Sequence, residues 1–94
     1  QPWHLGSDEL KAACRAAVDY CNQRGIDIAK LGMQFCMANP RFHSTLTGAK
    51  TADEVLRNVA IVGQDPDPEA LAEVQKILAP VRDVTWPSGR PEYN

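Results

Sequence analysis

A short loop that leads into a helix is the part of this sequence whose residue types could bind a ligand. Gly48, Ala49 and Lys50 precede Thr51, which begins a Thr-x-x-Glu capping pattern that closes at Glu54. The first turn of a helix carries unpaired N–H groups and about half a positive charge, so it can hold an anion. Glycine lets a ligand approach the backbone closely, and the lysine adds a positive charge. The pattern is compatible with a phosphate or nucleotide site.

Further polar residues follow on the same predicted helix. Glu54 and Asn58 are four residues apart, which places them on one face, and Arg57 lies beside them. A simpler interpretation needs no ligand: glycine before a capped helix is a common connector, Glu54 completes the cap, and Arg57 and Asn58 are solvated. The sequence has neither a GxGxxG motif nor a P-loop. Spacing by itself leaves both interpretations open.

Four helices and one strand are predicted to position this loop. The spacing of apolar residues, together with capping residues and prolines, predicts helices over about 8–23, 28–38, 52–62 and 68–79. The β-branched and aromatic residues that follow the second helix predict one short strand near 43–47. Residues 80–94 are rich in proline and are predicted to form an irregular tail.

Two of these elements lack obvious partners. The helix over 28–38 is apolar on nearly all sides, and such a helix expects cover on more than one side. A single strand leaves its backbone donors and acceptors unpaired. Both features indicate that further secondary structure packs on this chain.

Composition restricts the protein class. With 94 residues, 44% hydrophobic and 23% charged, the chain is expected to form one ordinary globular unit. A net charge of −2 without a basic stripe argues against nucleic-acid binding. No apolar run reaches the length of a membrane span, and no signal peptide is visible, so we expect a cytoplasmic location without membrane contact.

The cysteines and histidines indicate neither a disulfide framework nor a metal site. Cys14, Cys21 and Cys36 are odd in number and form no CxxC pair, so buried, reduced thiols are expected. His4 and His43 stand at no zinc-binding spacing relative to them. No nucleophile or acid–base pair is held together by a recognisable pattern, so no catalytic residue is predicted in this chain.

The stretch from Leu46 to Asn58, LTGAKTADEVLRN, resembles the last strand, loop and helix of the aldo-keto reductases. Members of that family commonly show an apolar strand end, a small residue, glycine, small or basic residues, and asparagine one helix later. The tail sequence from Thr85 to Gly89, TWPSG, is similar to the C-terminal end of the sugar-dehydrogenase branch. The resemblance covers nearly the whole chain. It implies an α/β parent fold, a (β/α)8 TIM barrel of about 300 residues, of which 1–94 would be the C-terminal segment with only the final strand.

The resemblance also implies a cofactor site. The loop would lie along the adenosine ribose of NAD or NADP, and Asn58 would hydrogen-bond the adenine. Glu54 stands where NADP-preferring relatives often have arginine, so NAD is slightly favoured, although Lys50 argues the other way. Arg57 replaces an acidic residue that is common in the family. The predicted cofactor-binding residues are Gly48, Ala49, Lys50, Thr51, Glu54, Arg57 and Asn58.

The implied activity is that of an NAD(P)-dependent oxidoreductase acting on a sugar or another aldehyde or ketone. The nucleotide and the missing N-terminal part of the barrel would be the partners. The family's catalytic Asp, Tyr, Lys and His come from earlier strands and have no counterpart in this chain. The alternative is a small helical interaction or dimerisation module that binds no ligand and self-associates through its apolar faces. A complete enzyme with its own chemistry is a third possibility.

Overall fold

The computed structural model describes residues 3–94 and contains four α-helices within them. The helices agree with the four predicted ones to within one residue at each end. Gln1 and Pro2, the start of the unit predicted over 1–94, lie outside the described residues. The helices are α1 (Asp8–Gln23), α2 (Ile28–Met37), α3 (Ala52–Ile61) and α4 (Pro68–Leu78), and short 3-10 helices span Ala79–Val81 and Pro91–Tyr93.

Each α-helix begins at a side chain that caps its first turn. The hydroxyl of Ser7 accepts the Leu10 N–H at 3.2 Å, and the Thr51 hydroxyl acts in the same way for α3. Carboxylates start the other two helices: Asp27 accepts from Ala29 at 2.9 Å, and Asp67 accepts from the first turn of α4. Such caps satisfy N–H groups that have no partner inside the helix, which is why the helix starts could be predicted.

The core forms where α1 packs against α4 and α2. Its buried residues are small or medium in size, and Cys21 is the largest that is fully buried. Small side chains at a helix contact allow the two axes to approach closely. Tyr20 packs at the edge of this core rather than inside it. The core cluster consists of Ala17, Cys21, Leu31, Ala70 and Val74.

The strand predicted near 43–47 is absent from the described structure. Residues 42–49 form neither helix nor strand, and Leu46 is 98% exposed. No backbone hydrogen bond pairs the segment 43–49 with another described segment. A strand is stabilised by a neighbouring strand, and residues 3–94 provide none. The segment therefore forms no strand in the described structure, despite its β propensity.

α3 is attached to the rest of the chain at one end. It lies against α2, and Ile61 is its buried residue. The buried Gln34 of α2 donates to the Gln64 side chain at 3.4 Å, and Gln64 in turn donates to the Ala60 carbonyl at 2.7 Å. Elsewhere α3 leaves large apolar side chains in solvent, including Leu56 at 66% and Val59 at 63% exposure.

The prediction of buried thiols is correct for Cys21 and wrong for Cys14 and Cys36, which are exposed. All three cysteines are free. Cys14 and Cys21 lie two turns apart on the same side of α1, but Cys14 borders an open groove whereas Cys21 is part of the packed core. α2 similarly exposes Phe35 and Cys36, so the cover expected for this helix is missing within the described chain.

The tail is irregular, as predicted, apart from its two 3-10 turns. Pro80 lies inside the first of these turns, so the chain tightens after α4 before leaving the helical path.

None of the helices in residues 3–94 combines the length and the apolar content needed to cross a bilayer.

Gly25 and Gly32 provide a matched test of the α1 end. Gly25 follows α1 with φ +66°, whereas Gly32 lies inside α2, and a Cβ at either position would meet nothing within 4 Å. We expect Gly25→Ala to lower the free energy of unfolding by about 1–2 kcal/mol because of the left-handed backbone. Gly32→Ala should raise it by about 1 kcal/mol through helix propensity. Urea unfolding followed by far-UV circular dichroism measures both, and shifts of the same sign would contradict this account.

Candidate functional site at the start of α3

A reciprocal cap closes the start of α3. The Thr51 hydroxyl accepts the Glu54 N–H at 3.2 Å. One oxygen of the Glu54 carboxylate accepts the N–H groups of Lys50 at 2.5 Å and Thr51 at 3.3 Å. The predicted capping box is confirmed. A carboxylate therefore already occupies part of the anion-binding position that a bare helix start would offer to a phosphate.

Asn58 makes a second link between the helix and the preceding loop. Its Nδ2 donates to the Thr47 hydroxyl at 3.5 Å, a long bond at the limit of useful geometry. Asn58 and Glu54 are both half-buried, one turn apart on the face that the loop contacts. An asparagine amide has a second donor hydrogen and a carbonyl oxygen, so most of its hydrogen-bonding capacity stays available.

The remaining predicted site residues are open to solvent. Gly48, Ala49, Lys50 and Arg57 are exposed. A Cβ built at Gly48 would meet nothing within 4 Å, so no contact inside the described chain requires glycine there. The space in front of the loop is accordingly free for a bound molecule.

All seven predicted residues come together because they are neighbours in sequence. They form one unit of loop and helix, and its internal geometry is set by the cap at Thr51 and the tie at Asn58. Sequence reasoning missed Thr47, which accepts the Asn58 hydrogen bond. The available signal was a hydroxyl side chain directly before Gly48.

Two clefts lie away from this loop. An open groove of about 820 Å³ runs along α1 and includes Trp86 of the tail. A second cleft of about 560 Å³ lies beside the start of α2 and includes Asp27, Asp65 and Asp67. Asp27 and Asp67 are committed to helix caps. Within residues 3–94, no three His, Cys, Asp or Glu side chains are grouped so as to hold a metal ion.

Similarity to known proteins covers both the loop and the helices around it. The chain is 44% identical over 91 residues to L-galactose dehydrogenase of Arabidopsis thaliana, an aldo-keto reductase. The chain is thus similar to part of an aldo-keto reductase. Protein tas of Escherichia coli K12 and protein tas of Shigella flexneri are each 29% identical to it over 70 residues. No protein-family model matches the chain.

The match covers most of this chain but only a small part of each relative. It includes 93% of this chain but 28% of the length of L-galactose dehydrogenase, and 74% of this chain but 20% of each tas protein. The resemblance to the sugar-dehydrogenase branch of the aldo-keto reductases is thus confirmed along nearly the whole chain. The matched part is less than a third of each relative.

The cap of α3 can be tested with a matched pair of variants. Thr51→Ala removes the hydroxyl that accepts the Glu54 N–H, and this should destabilise α3 by about 1 kcal/mol. Thr51→Ser keeps an acceptor at the same place and should be nearly neutral. Amide hydrogen exchange measured by NMR should rise roughly five-fold in the first turn of α3 for the alanine variant only. Equal exchange in the two variants would show that the cap does not hold this turn.

Proposed function

We propose that this chain forms the C-terminal part of an NAD(P)-dependent aldo-keto reductase that oxidises a sugar. The observation that carries the proposal is the 44% identity with L-galactose dehydrogenase over 93% of the chain. In this proposal the loop 47–51 and α3 contact the adenosine end of the cofactor. Bound NAD(P) would supply the hydride acceptor, and the groups that act on the sugar would come from the preceding part of the barrel.

The exposed segment before α3 supports placement in a barrel. Residues 42–49 carry strand-forming side chains but have no strand beside them. The apolar side of α3 and its C-cap is also exposed, with Val55, Leu56, Val59 and Val62 open to solvent. In a (β/α)8 barrel each strand is paired on both sides and each helix covers the sheet. Joining the barrel would bury this helix face and pair this segment.

The residues around the loop fit an adenosine ribose better than an additional phosphate. The N–H groups of Lys50 and Thr51 already donate to Glu54, and Asp53 adds a second carboxylate in the same turn. Two carboxylates repel a 2′-phosphate, whereas a carboxylate accepts a hydrogen bond from a 2′-hydroxyl. The amide of Asn58 has a second donor hydrogen and a carbonyl oxygen that could bond the edge of adenine. These features support NAD over NADP.

A chimera tests the proposed placement. The matching stretch of Arabidopsis L-galactose dehydrogenase would be replaced by this chain, and oxidation of L-galactose would be assayed with NAD and with NADP. We expect a folded, active enzyme. An insoluble or unfolded chimera would contradict the placement in the barrel. A folded chimera that binds neither nucleotide, measured by isothermal titration calorimetry, would contradict the assignment of the adenosine site.

The role of Glu54 in cofactor choice can be measured in the same chimera. Glu54→Gln removes the charge but keeps an oxygen for the cap, so the preference for NAD over NADP in kcat/KM should fall by on the order of ten-fold. Asp53→Asn is the matched comparison, because it removes an equal charge from the same turn without touching the cap, and it should lower the preference less than Glu54→Gln does. An equal fall in both variants would mean that general charge, rather than Glu54, sets the preference.

The exposed side of α3 also favours the second candidate, a ligand-free module that self-associates. In that case the 94-residue chain should form dimers or larger species in sedimentation equilibrium. Leu56→Asp should then shift it toward monomer, because Leu56 is 66% exposed on the apolar side of α3. Ala72→Asp on the exposed part of α4 is the control. A monomeric wild-type chain would exclude this candidate.

A further inference from the structure

A short chain of hydrogen bonds fixes the side-chain amide of Gln34. The Nε2 of Gln64 donates to the Ala60 carbonyl at 2.7 Å, so the oxygen of the Gln64 amide is the atom that accepts from Gln34 Nε2 at 3.4 Å. The carbonyl oxygen of Gln34 therefore ends this chain of bonds, and such an oxygen can only accept. Within residues 3–94 no group donates to it.

The free oxygen of Gln34 belongs to a buried residue. Gln34 is 7% exposed and lines the cleft beside the start of α2. In the described part of the chain, no fully buried side-chain nitrogen or oxygen lacks a hydrogen-bond partner. Because the Gln34 oxygen has no partner, it is one of the few atoms of this residue that solvent reaches, and the cleft is the opening that Gln34 borders. A buried amide thus presents an acceptor to the cleft.

Carboxylates supply the other acceptors of the cleft. The caps at Asp27 and Asp67 both use Oδ1, which leaves Oδ2 of each residue without a donor in the described chain. Asp65 lies in the same lining and caps no helix. Lys30 is the one positively charged residue that residues 3–94 contribute to this lining. Unpaired acceptors with an excess of negative charge favour a cation that carries several N–H donors.

The lining also discriminates among classes of ligand. An anion would face three carboxylates, and like charges repel. A metal ion is disfavoured, because no three His, Cys, Asp or Glu side chains of residues 3–94 are grouped to hold one. A guanidinium carries five N–H donors in a plane, has no acceptor and is weakly hydrated, so it can bond an amide oxygen and carboxylates together. An ammonium is a compact and strongly hydrated charge, which loses more by leaving water.

We propose that this cleft binds a guanidinium group, the side chain of an arginine on a partner polypeptide. The acceptors are the Gln34 oxygen, the Oδ2 atoms of Asp27 and Asp67, and the carboxylate of Asp65. The site does not depend on nucleotide binding, because none of the lining residues belongs to the loop before α3.

NMR titration of the 94-residue chain tests the site, with N-acetyl-arginine methylamide as the probe. The backbone amide of Lys30 and the Nε2 group of Gln34 should shift, with a millimolar dissociation constant because exposed charges interact weakly in water. The citrulline analogue has a similar shape without the charge and should cause no shift. The lysine analogue should bind several-fold more weakly. Equal binding of either analogue would overturn the assignment to a guanidinium.

Variants locate the bound probe. Asp65→Asn should weaken binding by roughly two- to five-fold. Asp53→Asn removes an equal charge at the other end of α3 and should leave binding unchanged. Gln34→Met removes the amide oxygen at similar side-chain length and should weaken binding by on the order of ten-fold. Gln64→Met is its comparison, because it breaks the same Gln34–Gln64 bond but keeps the Gln34 oxygen, and it should weaken binding less.

The outcomes separate this site from general attraction of a cation. Wild-type affinity in a Gln34→Met variant that keeps its helical circular dichroism would overturn the role of the amide oxygen. If that variant does not fold, the two charge variants decide, and equal dissociation constants for Asp65→Asn and Asp53→Asn would overturn the cleft as the site. Shifts of the wild-type chain that fall outside the cleft, or no shifts at all, would also overturn it.

Discussion

The contact between α1 and α4 is the interaction on which the rest of the structure depends. Ala17 and Cys21 of α1 face Ala70 and Val74 of α4 in a core whose members are small. The contact joins helices from opposite ends of the chain, and the 3-10 turn after α4 also lies against α1. This arrangement directs the tail back toward the start of the chain. Without the contact between α1 and α4, nothing would bring Trp86 next to His4.

α3 is held mainly by local contacts rather than by a packed helix pair. Its start is organised by a cap made from adjacent residues, and its end is anchored through Ile61 and the Gln34–Gln64 bond. The loop-helix unit is consequently well defined internally while most of its apolar side remains uncovered. A nucleotide site built on such a unit needs additional protein to enclose the ligand. The chain is similar to only part of a much longer aldo-keto reductase, and the rest of such a protein is the cover that the proposed function requires.

The carboxylate of Glu54 satisfies two N–H groups at the start of α3. In the proposed nucleotide site, the same charge would also disfavour a cofactor phosphate. The cap makes the charge a fixed feature of the loop rather than a mobile one. The α1 groove, by contrast, is bordered by residues drawn from both ends of the chain, so it depends on the tertiary fold.

Local chemistry in the sequence determined the four helices and the loop before α3. Their starts at Ser7, Asp27, Thr51 and Asp67 are set by side chains that bond to nearby backbone, and such bonds need no distant partner. The family relation was readable for the same reason, since its motif is one continuous stretch. The tertiary structure decided the features that require contact with a second surface. It buried Cys21 but left Cys14 exposed, left 43–47 without a strand, and brought Trp86 to His4. Burial, strand pairing and contacts between chain ends all require a partner that sequence spacing does not specify.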